Sequence, residues 1–155
     1  MSAPRAIAVS SLNEQSVMAE FDAAIVISDV IETSNLGTLA NVLEQYKALD
    51  ARTGKECIFL GAPEVPGNRL IHSPTGSLTR YVDDVRRVFD AAHKAATVAL
   101  NAGAKKPLLL VSLSSSDSKY QNAIQAAYLG MAQALWQPLE AREALEEAER
   151  PKEIK

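Results

Sequence analysis

The chain has 155 residues, of which 47% are hydrophobic and 23% are charged, proportions typical of one globular domain. Its 16 basic and 19 acidic residues give a formal net charge of −3, which excludes a general polyanion binder because neutralising nucleic-acid phosphates needs clustered Lys and Arg. The single cysteine, Cys57, excludes an intramolecular disulfide and favours a reducing cytoplasm, and no apolar run approaches the ~20 residues that cross a bilayer.

Short apolar runs and helical periodicities alternate from the N-terminus onward. An apolar run at 7–9 is followed by a modest helical pattern over 13–21. Residues 23–27 (Ala-Ala-Ile-Val-Ile) are apolar and rich in β-branched side chains, so they predict a buried strand. Leucines at helical spacing then predict a helix that begins after N-cap oxygens at 33–35 and stops near Gly54.

The middle of the chain predicts two neighbouring strands and a long helix. Apolar residues at 57–60 predict one strand, a turn at 61–68 follows, and 69–72 predicts its partner. A helix is expected over about 80–102, and its apolar stripe comprises Val82, Val85, Phe89, Ala92, Ala96 and Ala99.

The ends of that long helix carry their own signals. Thr79 can supply its N-cap, and Asp83 and Asp84 are expected in its first turns, where the helix dipole favours negative charge. As adjacent helical residues they point about a hundred degrees apart, so they are not expected to work as a carboxylate pair. Gly103 is expected to end the helix.

The last third predicts a strand, a helix and a charged tail. Residues 107–111 (Pro-Leu-Leu-Leu-Val) predict a central strand, and a second long helix follows the serine-rich segment 112–118. Pro138 is expected to interrupt that helix before an Ala/Glu-rich helical tail at 139–149. The alternation of strands and helices predicts an α/β fold with helices on both faces of a sheet.

Two segments that follow predicted strands contain candidate ligand-binding residues. In open α/β sheets the ligand crevice lies at the ends of the strands. Asp29 could bind a base or a ribose, or it could be an ordinary turn carboxylate. Ser114, Ser115 and Ser116 precede a helix N-terminus that could attract an anion. The alternative for this segment is helix capping by Asp117 or a neighbouring serine, because Ser and Asp are favoured N-cap residues.

The remaining candidates for chemistry do not form a recognisable catalytic or metal site. Five residues, two of them prolines, separate Gly61 from Gly67 and no Lys-Ser or Lys-Thr follows, so a structural turn is favoured over a phosphate loop. Neither His72 nor His93 has a His, Cys or Glu three or four residues further on. Cys57 lies in an apolar run, where a thiol behaves as a small core side chain. We therefore predict no catalytic and no metal-ligating residue in this chain.

One continuous segment resembles a known family. Residues 67–80 read Gly-Asn-Arg-Leu-Ile-His-Ser-Pro-Thr-Gly-Ser-Leu-Thr-Arg, and residues 81–92 read Tyr-Val-Asp-Asp-Val-Arg-Arg-Val-Phe-Asp-Ala-Ala. Together with Tyr-Leu-Gly-Met-Ala-Gln-Ala-Leu at 128–135, they are similar to the N-terminal domain of M17 leucine aminopeptidases. The resemblance is closest to the cytosolic aminopeptidases of animals and spans roughly residues 20–145.

The resemblance implies a macrodomain-like, three-layer α/β/α fold with a mixed central sheet. It also implies a separate C-terminal catalytic domain that binds two divalent metal ions, Zn or Mn, and a homo-hexameric assembly in the cytoplasm. The metal-site motif of that family, Asn-Thr-Asp-Ala-Glu-Gly-Arg-Leu, does not occur in these residues. No catalytic or metal-binding residue is therefore carried over to this chain, and no cofactor is expected in it.

The leading hypothesis is a non-catalytic N-terminal accessory and assembly domain of a metal-dependent, leucine-type aminopeptidase. Residues 1–137 would form the domain, and 138–155 the charged tail and the start of a linker to the catalytic domain. Expected partners are that catalytic domain and further copies of the same subunit, with neither nucleic acid nor membrane. One alternative is a macrodomain-like module that binds ADP-ribose or a nucleotide at Asp29 and 112–118. Another is a scaffold protein that binds a partner through the 139–149 helix.

Overall fold

The structure, a computed structural model, describes residues 20–31 and 36–145. Its strands are β1 (Ala23–Ser28), β2 (Ile58–Gly61), β3 (Arg69–Pro74) and β4 (Pro107–Ser112). Its helices are α1 (Thr38–Leu49), α2 (Arg86–Asn101), α3 (Ala123–Leu135) and α4 (Leu139–Glu143). The predicted run at 7–9, nearly all of the predicted helix over 13–21, the proposed cap at 33–35 and the tail beyond 145 lie outside the described residues.

The four strands form one mixed sheet in the order β2-β3-β1-β4. β1 runs parallel to both β3 and β4, whereas β2 is antiparallel to β3. Every residue of β1 is buried, as expected for an apolar, β-branched strand with a neighbour on each side. The strand predicted at 23–27 and the strand pair predicted on either side of the 61–68 turn are therefore confirmed.

Helices cover both faces of the sheet, which makes the three-layer α/β/α arrangement. On one face Leu39 and Leu43 of α1 pack with Val26 and Leu70 of the strands. On the other face α2 and α3 pack over Ile25, Ile27 and Ile71, mostly through alanines. The α/β class, the mixed sheet and the layers on both faces are as predicted.

Small residues let α2 and α3 lie in close contact. Ala92, Ala96 and Ala99 of α2 are fully buried. A Cβ built on Gly130 of α3 would lie 2.3 Å from the carbonyl oxygen of Phe89, so the two backbones touch there and only glycine fits without movement. Of the predicted stripe, Ala92, Ala96 and Ala99 are buried and Val85 packs against the same core. Phe89 is half-buried, and the prediction is wrong at Val82, which is 70% exposed.

The N-terminal boundaries predicted for α1 and α2 are wrong, and so is the stop predicted for α1. Helix α1 begins at Thr38, with Gly37 at the N-cap, and it ends at Leu49 rather than at Gly54. The amide of Asp50 caps this end by donating to the carbonyl of Tyr46 at 2.7 Å, and Gly54 instead lies in the following turn with a positive φ of 82°.

Helix α2 begins at Arg86, six residues later than predicted, and Thr79 does not cap it. The carboxylate of Asp83 is the reason, because it accepts hydrogen bonds from the amide of Arg80 at 3.0 Å and from the guanidinium groups of Arg80 and Arg87. These bonds hold residues 80–83 in a turn, so Asp83 is a buried structural carboxylate rather than a first-turn helix charge. Asp84 precedes the helix too, and it accepts from the amide of Arg86 at 2.9 Å.

The end predicted for α2 is correct. The amides of Gly103 and Ala104 donate to Leu100 and Ala99, each at 3.0 Å, and Gly103 has a φ of 78°, which is a Schellman motif. Residues 136–138 separate α3 from α4, so the interruption at Pro138 is confirmed. β4 was expected to be central, but within the described residues it pairs only with β1 and lies at one edge of the sheet.

Candidate functional site

The candidate site lies at one edge of the sheet, where three parallel strands end together. Ser28 at the end of β1 is in register with Pro74 of β3 and with Ser112 of β4. The loops that follow these strands therefore meet above this edge, which is the usual place for a ligand crevice in an open α/β sheet.

The structure brings together two of the four predicted site residues. The carboxylate of Asp29 accepts a hydrogen bond from the amide of Ser114 at 2.9 Å and a second, short one from the Ser114 hydroxyl. These bonds connect the β1 loop to the β4 loop, so Asp29 serves as a turn carboxylate across two loops. Whether a ligand also binds there stays a prediction.

The other two predicted serines, Ser115 and Ser116, do not contact Asp29 through any hydrogen bond in the described part of the chain. The hydroxyl oxygen of Ser115 accepts from the amide of Asp117 at 3.3 Å, and Ser116 is exposed. Asp117 in turn accepts from the amide of Lys119 at 3.1 Å and caps a short 3₁₀ turn, Ser118–Tyr120. The capping interpretation of Asp117 is therefore correct for the 3₁₀ turn, and α3 itself begins only at Ala123.

A cavity that the sequence did not predict lies beside Asp29, on the α1 side of the strand ends. Its volume is about 290 Å³, and its lining includes Ser28, Thr53 and His72. The ammonium-bearing side chains of Lys47 and Lys55 also line it. Three separate parts of the chain thus converge here: the ends of β1 and β3, helix α1, and the turn between α1 and β2.

His72 is the most deeply buried polar residue of this cavity, with no exposed surface. Its Nε2 lies 3.0 Å from the hydroxyl oxygen of Ser28, while its Nδ1 has no hydrogen-bond partner. Burial lowers the pKa of His72 from 6.5 to about 4, because desolvation disfavours the charged imidazolium. The ring is therefore neutral at physiological pH, and its buried Nδ1 has no partner among the described protein groups.

Thr53 is the second polar residue without a partner. It is 3% exposed, and its hydroxyl oxygen makes no hydrogen bond. The turn that carries it is held by the amide of Thr53 donating to the carbonyl of Asp50 and by a bidentate ion pair between Arg52 and Asp50. An unpaired buried polar atom costs about 1–3 kcal/mol, so two of them in one cavity need a physical explanation.

These groups are suited to binding rather than to covalent catalysis. Ser28 and His72 are hydrogen-bonded, as a nucleophile and its base would be, but Ser28 is only 1% exposed and no carboxylate orients Nδ1. Within 20–31 and 36–145, no cluster of three or more His, Cys, Asp or Glu side chains could hold a metal ion. No helix in that part of the chain is both long and apolar enough to span a membrane.

The sequence signal for this cavity was weak but present. Ser28 is the last residue of β1, and His72 is a polar residue inside β3 beside the apolar Ile71. Cys57, which immediately precedes β2, is half-buried. Burial raises the pKa of its thiol, so it stays protonated, as expected for a small core side chain.

A search of curated proteins gives one informative similarity. The chain is 32% identical to a Caenorhabditis elegans protein named "putative aminopeptidase", in an alignment of 133 residues that covers 81% of this chain. The chain spans about a quarter of the length of that protein, since the match covers 25% of it. No protein-family model matches the chain. No solved structure matches it either.

The chain therefore resembles one segment of an aminopeptidase-named protein. This agrees in part with the resemblance found in residues 67–92, because both similarities are to aminopeptidases. The assignment to the M17 family and the detailed similarity to macrodomains are not tested by these comparisons and stay predictions.

Proposed function

We propose that this chain is the non-catalytic N-terminal accessory domain of a metal-dependent, leucine-type aminopeptidase of the M17 family. The observation that supports the proposal most directly is the 32% identity to a protein named as an aminopeptidase, of which the match covers only one quarter. The remaining three quarters of such a protein would provide the catalytic domain. Its two divalent metal ions, Zn or Mn, would activate the water that cleaves the N-terminal residue from a peptide.

The roles of the residues in the family-like segment 67–92 support an accessory domain. Gly67 has a φ of 63°, and a Cβ there would lie 2.1 Å from the carbonyl oxygen of Asp22. Asp83 is buried and holds Arg80 and Arg87. These residues fix a close approach and a turn, so the segment is suited to maintaining a fold.

The surface near the end of the described chain supports a partner. Four large apolar side chains there are more than half exposed: Ile124, Leu129, Trp136 and Leu139. Exposed large apolar side chains are a feature of surfaces that another protein covers, and these four lie close together in the sequence, within residues 124–139. In the proposed parent the occupant would be the catalytic domain of the same polypeptide, within a cytoplasmic homo-hexamer.

The proposal is tested by comparing this chain with the parent aminopeptidase in an assay with leucine p-nitroanilide and added Zn²⁺ or Mn²⁺. The 155-residue chain is expected to give no turnover, whereas the parent is expected to cleave the substrate and to lose activity when a chelator removes the metal. Turnover by the short chain that persists through repurification, or a parent without peptidase activity, would overturn the proposal.

A second candidate is a module that binds ADP-ribose or a nucleotide. It is favoured by one observation, the meeting of the Asp29 and Ser114 loops at the carboxyl edge of the parallel strands. Binding there requires Asp29 to release Ser114 or the ligand to use other groups of the loops. Calorimetric titration with ADP-ribose decides the point: heat that saturates, and that is lost in Asp29→Ala, supports this candidate, and no heat at millimolar ligand removes it.

A further inference from the structure

The cavity at the strand ends contains two unsatisfied polar atoms, the hydroxyl of Thr53 and Nδ1 of His72. They come from distant parts of the chain and line the same space, and both residues are more than nine-tenths buried. Folded proteins pair such atoms with protein groups, ordered water or ligands. In the described part of the chain no protein group pairs with either atom.

The cavity is larger than these two atoms need for water alone. A single water occupies about 30 Å³, whereas the cavity measures about 290 Å³. That volume is close to the lower limit of the small-molecule sites known in proteins, about 300 Å³. A compact molecule of a few heavy atoms would fit. Each orphaned atom exposes less than 1 Å² to solvent, so the molecule would reach both after a small shift of the lining side chains.

The charged groups that line the cavity favour an anion. Lys47 and Lys55 line it, and because Lys47 is paired with Glu44 at 3.4 Å, the cationic group on which the argument rests is Lys55. Asp29 contributes the one carboxylate of the lining, and that carboxylate already accepts two hydrogen bonds from Ser114. The Thr53 hydroxyl can donate to an anionic oxygen, and the neutral imidazole of His72 can donate to or accept from a second polar atom, depending on its tautomer.

We propose that this cavity is a binding site for a small organic anion. Lys55 and the Thr53 hydroxyl bind its carboxylate or phosphate group, and His72 Nδ1 binds a second polar atom such as a hydroxyl. The site adjoins the Asp29–Ser114 contact, because Asp29 both lines the cavity and accepts from Ser114. The inference does not depend on the proposed aminopeptidase function.

The test is an NMR titration of the isotope-labelled 155-residue chain with four probes: phosphate, acetate, lactate and glycerol 3-phosphate. Saturable shifts are expected at the amides of 53–55 and at the His72 ring, with the hydroxyl-bearing probe binding more tightly than its simple counterpart. Comparison of the two carboxylates with the two phosphates identifies the anionic group that is preferred.

Two variants and two matched controls make the titration specific. Thr53→Val removes the hydroxyl and keeps the shape, and Lys55→Met removes the charge; each is expected to weaken binding about tenfold. Thr97→Val and Lys94→Met change the same residue types on α2, which covers the opposite face of the sheet, and are expected to leave binding unchanged. Thr53→Val is expected to fold, because it removes a buried unpaired hydroxyl.

Three results would overturn the proposal. The first is that none of the probes shifts these resonances at about 20 mM, which would leave the cavity as a water-filled space. The second is that shifts do not saturate and spread over lysines elsewhere. The third is that affinity falls equally in the variants and in the controls. An inactive parent aminopeptidase would contradict the proposed function without affecting this titration.

Discussion

The contact between Gly130 of α3 and the backbone of Phe89 in α2 leads to a quantitative prediction. In Gly130→Ala the new Cβ would lie 2.3 Å from the Phe89 oxygen, whereas ordinary contacts begin at 3.4 Å. The clash is with backbone, so no side chain can move aside and the two helices must separate by about 1 Å. That separation loosens the layer of buried alanines, including Ala92, Ala96 and Ala127.

Two opposing effects set the change in the free energy of unfolding. Alanine is a better helix former than glycine by about 1 kcal/mol, while overpacking at a rigid contact costs about 1–3 kcal/mol, occasionally more. Backbone cannot give way as a side chain can, so we expect the upper part of that range and a net loss of about 2 kcal/mol. The urea midpoint should fall by roughly 1 M and the melting temperature by roughly 5 °C.

The assay is urea unfolding followed by far-UV circular dichroism. Trp136 is 70% exposed, which makes its fluorescence a poor reporter of the core. The control is Gln125→Gly at an exposed position on the same helix. It measures helix propensity without the backbone contact and should cost about 0.5–1 kcal/mol. If Gly130→Ala were as stable as the wild type, or more stable by the propensity gain, the backbone contact between α2 and α3 would be refuted.

Two further predictions concern buried ionisable groups. Burial lowers the pKa of His72 to about 4, so the unfolded state binds the proton more tightly than the folded state does. The free energy of unfolding therefore has its full value above pH 6.5 and falls by about 2–3 kcal/mol as the pH drops to 4.5. Urea midpoints at both pH values should show this loss in the wild type and a smaller one in His72→Gln, and equal losses would contradict it. Asp83→Asn should cost about 2 kcal/mol, because the buried carboxylate pairs with two arginines. The control Asp84→Asn loses only an ion pair with the exposed Arg86 and should cost less than about 1 kcal/mol in the same experiment. Equal costs for the two variants would contradict the structural role of Asp83.

The sequence predicted those elements that depend on local patterns. The β-branched run that became β1 was identified because a strand buried on both faces is apolar throughout. The end of α2 was placed at Gly103 because a left-handed C-cap favours glycine. The start of α2 was missed because 80–85 has helical spacing of apolar residues. The side chain of Asp83 bonds the amide of Arg80, and this local competition is not visible in hydrophobic periodicity.

The candidate site was only partly predictable for a similar reason. Asp29 and Ser114 were each proposed because they follow a strand, and parallel pairing with a shared register brings them together. The cavity was not predicted, since it depends on where the α1–β2 turn places Thr53 relative to His72. Both are polar residues without a motif, and only the folded chain shows that each lacks a partner.

The aminopeptidase proposal is tested most directly on the protein as its source cells make it. An antibody raised against this chain would capture the native polypeptide, whose size and activity on leucine p-nitroanilide are then measured. We predict a polypeptide several times larger than 16.7 kDa, with peptidase activity that a chelator abolishes and that Zn²⁺ or Mn²⁺ restores. A captured polypeptide of about the size of this chain, or a larger one without metal-dependent peptidase activity, would contradict the account.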